Sequence, residues 1–311
     1  MKILLLGHSG FLGSHVHEQL KESSHEIIVA SKSTGVDLRD YGDFERIVRS
    51  YEPNTVINCA AHVGGIQYGL AHPAEIYSDN LAINLNLYQL AREYKFRVLN
   101  PISNCAYPSH LQIFREEDLW SGELDPSVFT YGAIRRLTLV ASHAYWNQYG
   151  IESINLVFPN LYGEGDHLDP VRAHALGALV LRFIEAKNDN VGSLEVWGTG
   201  TPVREWLHVE DAAKYIVEAI GLNWSHEVFN VGWGAGVTIA DLALMIKNAV
   251  EYDGEIRFNS GMPDGAPCKI MDASKSINRF RSKPLIDLPT GISRTINWYE
   301  KQIEKRVANG K

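Results

Sequence analysis

The sequence predicts an α/β protein built on a doubly wound parallel sheet, followed by a smaller mixed α/β substrate lobe. Three observations predict it. In the first half, short β-rich runs alternate with helical patterns, which is the arrangement of βαβ units. Those runs are continuously apolar, as strands covered on both faces are. After about Tyr162, glycine and proline become frequent, the segments shorten and the order mixes, so the regular pattern ends there.

The elements follow in order. Ile3–Leu6 reads as a buried strand, Phe11–Lys21 as a helix, Glu26–Ala30 as a second strand, 40–51 as a helix and Thr55–Asn58 as a third strand. A long helix over Pro73–Tyr94 leads to a strand at 97–99. A helix through 131–149 leads to a strand at 153–157. The closing residues 305–311 are expected to fray. No internal repeat or low-complexity tract interrupts the chain. A length of 311 residues suits one large unit or two lobes sharing a cleft. The division expected is 1–165, with 205–235 returning to it, as a dinucleotide-binding domain, and 166–204 with 236–311 as the second lobe.

Composition narrows the partners. Apolar residues make up 45% and charged residues 21%, which is globular and not disordered. Lys and Arg number 29 against 37 Asp and Glu, a net charge of −8. That balance argues against nucleic acid or an anionic membrane, whose binding rests on phosphate neutralisation. It leaves room for a small anion held by a few local cations. The three cysteines, Cys59, Cys105 and Cys268, are far apart and odd in number, so neither a disulfide framework nor a zinc site is indicated. No apolar run approaches the ~20 residues of a membrane span. The apolar start ends at Gly7, short of the ~7–15 residues of a signal-peptide core. The expected compartment is the cytosol.

Gly7-His8-Ser9-Gly10-Phe11-Leu12-Gly13 lies between the first strand and the first helix. In that setting Gly7 permits a tight turn, Gly10 admits a pyrophosphate to the backbone, and Gly13 lets the helix pack on the sheet. The free N–H groups at the helix start then face the anion. A dinucleotide is therefore expected. The end of the second strand, where an acid would hold an unphosphorylated ribose, carries Ser31-Lys32-Ser33-Thr34. A cation among hydroxyls suits a 2′-phosphate, so NADP(H) is favoured over NAD(H), although Lys32 also reads as a solvated loop lysine. Asp37 and Leu38 either meet the adenine or start the next helix.

Ser103, Tyr131 and Arg135 form the next set. Tyr131 and Arg135 are one helical turn apart and share a face. A cation beside a phenol favours its ionised form and makes it a usable acid/base. Taken singly, such a pair reads as a surface contact, Cys105 as a small buried hydrophobe, His174 as one histidine among twelve, Arg182 as a solvated charge and Trp197 as core.

Taken jointly and in order, these residues resemble the extended short-chain dehydrogenase/reductases, and within them the GDP-L-fucose synthase branch. The likeness covers nearly the whole chain. It rests on Gly7–Gly13, Ala60-Ala61-His62-Val63-Gly64-Gly65-Ile66, Ser103-Asn104-Cys105-Ala106-Tyr107-Pro108, Asn160-Leu161-Tyr162-Gly163, the stretch from Val196 through Trp197 and Arg204 to Glu205, and Pro263-Asp264-Gly265. The resemblance implies a Rossmann-like fold and NADP(H)-dependent 3,5-epimerisation and 4-reduction of a GDP-4-keto-deoxy sugar. It implies that Ser103 bonds the C4 oxygen, Tyr131 protonates it, and Cys105 and His174 exchange protons at C3 and C5. With it, Phe11, Leu12, Ala60, Ala61, Tyr131, Arg135, Phe158, Asn160 and Leu161 are expected at the cofactor, beside Ser9, Lys32, Asp37 and Leu38, which are placed there by their position in the chain. Asn160, Arg182, Trp197, Arg204, Asp264 and Lys269 fall to the GDP-sugar. It also implies a homodimer through the Tyr131 helix and the long helix before it.

Three departures stand out. Arg135 replaces the branch's lysine, Asn104 replaces a small hydroxyl residue, and Ser9 stands where an arginine is common. They leave open an epimerase-only or reductase-only enzyme on a related GDP-keto sugar, such as a GDP-heptose. A non-catalytic nucleotide-sugar sensor is disfavoured by the retention of Ser103, Cys105, Tyr131 and His174.

Overall fold

A computed structural model describes residues 1–262 and 264–308. Pro263 of the Pro263-Asp264-Gly265 motif and the last three residues of the expected frayed tail lie outside the described residues. The first half contains β1 (Lys2–Leu6), α1 (Phe11–Lys21), β2 (Glu26–Ala30), α2 (Tyr41–Tyr51), β3 (Thr55–Asn58), α3 (Ile66–Ala71), α4 (Pro73–Tyr94), β4 (Arg97–Ser103), β5 (Ile113–Phe114), α5 (Phe129–Tyr149) and β6 (Ser153–Phe158). Then follow β7 (Asn160–Tyr162), α6 (Ala175–Asn188), β8 (Ser193–Trp197), β9 (Val203–Arg204), β10 (Trp206–His208), α7 (Val209–Ala219) and β11 (His226–Asn230). The chain closes with β12 (Val237–Thr238), α8 (Ile239–Val250), β13 (Glu255–Asn259), β14 (Cys268–Met271), α9 (Ser274–Arg279) and α10 (Leu288–Ala308).

The main sheet is parallel, in the order β11-β6-β4-β3-β1-β2. Its inner strand β1 is apolar on both faces because both are covered. Ile3 and Leu5 of β1 join Val16 and Leu20 of α1 and Ile216 of α7 in one core. Leu4 and Leu6 point the other way, into a core with Phe44 and Val48 of α2 and Leu87 of α4. The alternate residues of one strand thus feed two cores, as the pleat requires. The chain runs from β1 outward to β2 and then crosses back to β3. The strand order therefore reverses between β1 and β3, and a crevice opens at their carboxyl ends.

β11 adds to the edge of this sheet beside β6, so the chain returns to the first unit after leaving it. The later elements surround a third core. It contains Leu176, Val180 and Phe183 of α6, Leu242 and Ile246 of α8, and Ile296 and Tyr299 of α10. A four-stranded sheet in the order β12-β9-β14-β5 lies in this part of the fold.

Two expectations are corrected. The later segments are not all short, since α10 alone spans 21 residues. That helix also carries 305–308, part of the expected frayed tail, because Ile292, Ile296 and Tyr299 anchor its apolar face in the third core.

Candidate active site

The glycine turn has the shape its spacing predicts. Gly7 has φ +73°, and a Cβ there would sit 2.7 Å from the Ala60 backbone at the end of β3. A Cβ on Gly13 would collide with the Gly7 carbonyl. Gly10 caps α1 with no side-chain hydrogen bond, so the N–H groups of its first turn are left for a ligand. The residues present fit a dinucleotide pyrophosphate at the sheet's switch point.

At the end of β2 the Ser9 hydroxyl donates to Ser31 at 3.3 Å, and the Ser31 and Ser33 hydroxyls are 2.7 Å apart. Ser31 and Thr34 close a capping box around a single turn of 3₁₀ helix. Exposed Lys32 sits in that turn. Three hydroxyls and a cation thus stand together where the ribose of a bound dinucleotide would end. Asp37 accepts hydrogen bonds from Arg39, which hold its carboxyl down at about 2. Leu38, 5% exposed, packs in the core beneath the end of β2. Ala60 packs beside the same core and Ala61 is exposed above it.

The residues expected to act in catalysis lie about the end of β4. Ser103 is its last residue and pairs in register with Phe158 of β6. The Ser103 hydroxyl accepts from the Cys105 N–H at 3.2 Å, which starts a 3₁₀ turn over 104–106. α5 docks directly on that turn, since a Cβ at Gly132 would overlap the Cys105 carbonyl. Tyr131 precedes Gly132 in the chain and so stands next to this docking point. Arg135 is not the surface residue that its type alone suggests, being only 6% exposed. Its Nη2 donates to the Tyr131 hydroxyl at 2.8 Å, and its guanidinium lies 4.6 Å from the ring centroid. Arg135 Nε is buried with no partner, a donor free for a ligand hydroxyl. The Asn104 amide nitrogen beside them is likewise buried and unpaired. Cys59 lies against the core, and burial pushes its thiol up to about 12, leaving it inert as a proton carrier.

His174 caps the start of α6. Its Nδ1 lies 2.9 Å from Asp166 Oδ1, and its ring centroid is 5.1 Å from that of Phe11 in the glycine turn. Gly65 presses the Val63–Gly65 loop against the same region, where a Cβ would meet the Val171 carbonyl at 2.8 Å. Asn160 is tied to the Glu205 carbonyl through Nδ2 at 3.0 Å, beside half-buried Leu161.

The expected nucleotide-sugar residues divide. Trp197 is 45% exposed at the end of β8, so it is not core and its face is available. Arg182 donates to the Glu195 carbonyl and is not simply solvated. Arg204 donates to the Asp264 carbonyl at 3.2 Å, and burial lowers its guanidinium from the usual range. The Asp264 carboxylate clamps Thr199 through N–H at 2.6 Å and hydroxyl at 2.8 Å, shaping the Gly198–Gly200 turn. Lys269 lies 3.5 Å from Asp125, which caps the turn leading into α5.

Sequence reasoning missed several residues. Asp166 had no motif to mark it. Gly132 is read only as part of a helix. Glu205 ends a quoted motif, yet its task emerges only from the fold. Its buried carboxylate accepts from the N–H groups of Trp233, Gly234 and Met271, tying three segments together. Among the described residues, no group of three or more His, Cys, Asp or Glu is arranged to hold a metal. Among the described residues, no helix is long and apolar enough to cross a membrane.

Comparison with known proteins is consistent with this geometry. Residues 3–232 match the NAD dependent epimerase/dehydratase family. The chain is 34% identical to the probable GDP-L-fucose synthase 1 of Oryza sativa subsp. japonica, over 97% of this chain and 93% of the relative. Among solved structures it resembles a GDP-6-OMe-4-keto-L-xylo-heptose reductase from C. jejuni, with TM-score 0.89 and 27% identity over 97% of this chain and 98% of that one. It also resembles a GDP-mannoheptose C4 reductase from Campylobacter jejuni with NADP bound, with TM-score 0.83 and 28% identity over 96% and 98% of the two chains.

Proposed function

The chain belongs to the NAD dependent epimerase/dehydratase family, and from that premise we propose that it catalyses NADP(H)-dependent 3,5-epimerisation and 4-reduction of a GDP-4-keto-deoxy sugar. The observation that carries the reading is the Tyr131–Arg135 hydrogen bond at 2.8 Å, set next to the 104–106 turn by the close docking of Gly132. Relatives named as GDP-L-fucose synthases and GDP-heptose reductases support a GDP-sugar as the substrate.

The chemistry assigns each residue a task. A ketone at C4 acidifies the protons on C3 and C5. Cys105 and His174 exchange those protons, since thiols and imidazoles both do so near neutrality. Ser103 donates to the C4 oxygen as charge develops there. Tyr131 gives its phenolic proton to that oxygen, and Arg135 stabilises the phenolate left behind. The bound cofactor supplies the hydride for C4. Gly7, Gly10, Gly13, Phe11 and Leu12 hold its pyrophosphate, and Ser9, Ser31, Ser33 and Lys32 favour a ribose carrying a 2′-phosphate. Residues 1–165 and 205–235 serve the dinucleotide; 166–204 and 236–311 serve the nucleotide sugar through Arg182, Trp197, Arg204 and Lys269. A thiol that must stay reduced suits the cytosol.

The test is incubation with GDP-4-keto-6-deoxymannose and NADPH in deuterated water. Loss of NADPH absorbance with deuterium at both C3 and C5 is expected. Absence of both overturns the proposal. A second reading, reductase-only or epimerase-only action on a GDP-heptose, is favoured by the buried unpaired Asn104 amide and by Arg135. Turnover of a GDP-4-keto-heptose with only one of the two signals supports it instead.

A further inference from the structure

We propose that Asp166 is a positioning residue that fixes His174 with its proton on Nδ1, leaving Nε2 as the nitrogen that exchanges a proton with the sugar. The proposal rests on the epimerisation assigned to His174 above. The geometry is local and complete. The Asp166 side chain is 1% exposed, whereas that of His174 is 35% exposed. Oδ1 accepts from the His167 N–H at 2.8 Å and lies 2.9 Å from His174 Nδ1. Oδ2 accepts from the His174 N–H at 2.9 Å. One carboxylate therefore grips both the backbone and the ring of the same histidine, across the loop that separates the end of β7 from α6.

The neighbours allow no other arrangement of that grip. α6 presses its first turn onto the carboxylate, because a Cβ at Gly177 would stand 2.7 Å from Asp166 Oδ2 and 2.5 Å from the Tyr299 hydroxyl. Tyr299 in turn donates to the His167 carbonyl at 3.1 Å, holding the loop from behind. Every group facing the carboxylate from the loop and the helix start is a donor, so it acts as an acceptor only. The ring nitrogen facing it must then carry hydrogen, and the hydrogen bond at one imidazole nitrogen sets the state of the other. Phe11 packs against the ring, which fixes its plane beside the glycine turn.

The consequence for the reaction is a balanced proton step. Nε2 takes the proton from a carbon next to the C4 ketone, and the C–H electron pair moves to the C4 oxygen as an enolate. The ring becomes an imidazolium whose Nδ1–H remains on the Asp166 carboxylate. Negative charge at Asp166 stabilises that cation, and the reverse step returns the proton. Asp166 touches neither sugar nor cofactor; its effect passes through His174.

Two measurements test this. In protein labelled with ¹⁵N-histidine, long-range ¹H–¹⁵N spectra of the full chain above the histidine titration range report each tautomer, and the His174 signals are those lost in His174→Asn. An Nδ1–H pattern is expected; an Nε2–H pattern overturns the proposal, and this result needs no substrate. Deuterium uptake from deuterated water into GDP-4-keto-6-deoxymannose in the presence of NADP⁺ is the second. His174→Asn should silence exchange at one carbon. Asp166→Asn, which keeps the shape and removes the charge, should slow exchange at that same carbon about 100-fold or more. Exchange at the other carbon should stay as in the parent protein, and circular dichroism should show the fold retained, although the amide NH2 facing a buried donor lowers the melting temperature. Exchange in Asp166→Asn within about threefold of the parent at both carbons overturns the proposal, since general acid/base catalysis contributes far more than that. If the parent protein exchanges neither carbon, the epimerisation reading fails, and the tautomer alone decides Asp166.

Discussion

Arg135 donates to the Tyr131 hydroxyl and keeps its own Nε buried and free. A lysine there would hold the same charge on a smaller head, whereas a guanidinium cannot give up a proton during turnover. Catalysis should therefore need the charge at this position and not a relay through it. Arg135→Lys should keep NADPH oxidation within about tenfold, while the neutral Arg135→Met should lower it by about 100-fold or more, the usual weight of one acid/base group. Single-turnover rates of NADPH oxidation check this; equal losses in both variants would mean that guanidinium shape, not charge, is what matters. Lys32 raises a separate question of cofactor choice. If the hydroxyls of Ser9, Ser31 and Ser33 form one phosphate cradle with it, Lys32→Ala should weaken NADPH binding about tenfold or more, the size of a lost hydrogen bond to a charged group. NADH binding should not change, and calorimetric titration of both cofactors reads the difference.

Elements decide where those residues stand. α5 reaches the Ser103–Cys105 turn because Gly132 has no side chain to hold it off. Gly132→Ala should cost about 1–3 kcal/mol through overpacking against a backbone carbonyl. It should also reduce turnover by displacing Tyr131, as melting curves and kinetics on the same sample will show. This dependence explains which parts were legible in the sequence. The strand and helix limits follow from apolar runs and caps local to each segment, so α1, β2, β3 and α4 coincide with expectation. Ser103, Tyr131 and Arg135 could be named because order and spacing mark them. Gly132 and Asp166 could not, because their reasons are contacts with a turn and a helix start that exist only after folding. Glu164 shows the same limit. His208 Nδ1 accepts from the Glu210 N–H, and its Nε2 lies 3.0 Å from a Glu164 carboxylate oxygen. Arg294 of α10 donates to Glu164 at 2.7 Å. Burial pushes this carboxyl up, but His208 and Arg294 prevail and hold it at about 2. A depressed folded value stabilises the protein fully above the ordinary glutamate range and loses that contribution as pH falls through about 2. Melting temperature should thus fall on acidification in the parent protein and fall less steeply in Glu164→Gln.

At the scale of the whole molecule, α4 and α5 pack together against one side of the sheet and leave apolar residues on their outer surface. Tyr77 and Leu85 lie two turns apart on α4, while Phe129, Leu137 and Val140 follow one another along α5; all five are exposed. Singly exposed apolar residues are ordinary, but here they gather on two adjacent helices, one of which carries Tyr131. A second copy of the chain meeting this face about a twofold axis would cover both patches with one another, because such an interface is self-complementary. Sedimentation equilibrium should therefore give twice the chain mass at micromolar concentration, and the pair Leu137→Glu with Val140→Lys should give the monomer. Neither residue is buried in the core, so these changes should leave the fold intact by circular dichroism. A parent protein that sediments as a monomer would remove the dimer, and with it any role for this face in holding α5, and Tyr131 on it, in place.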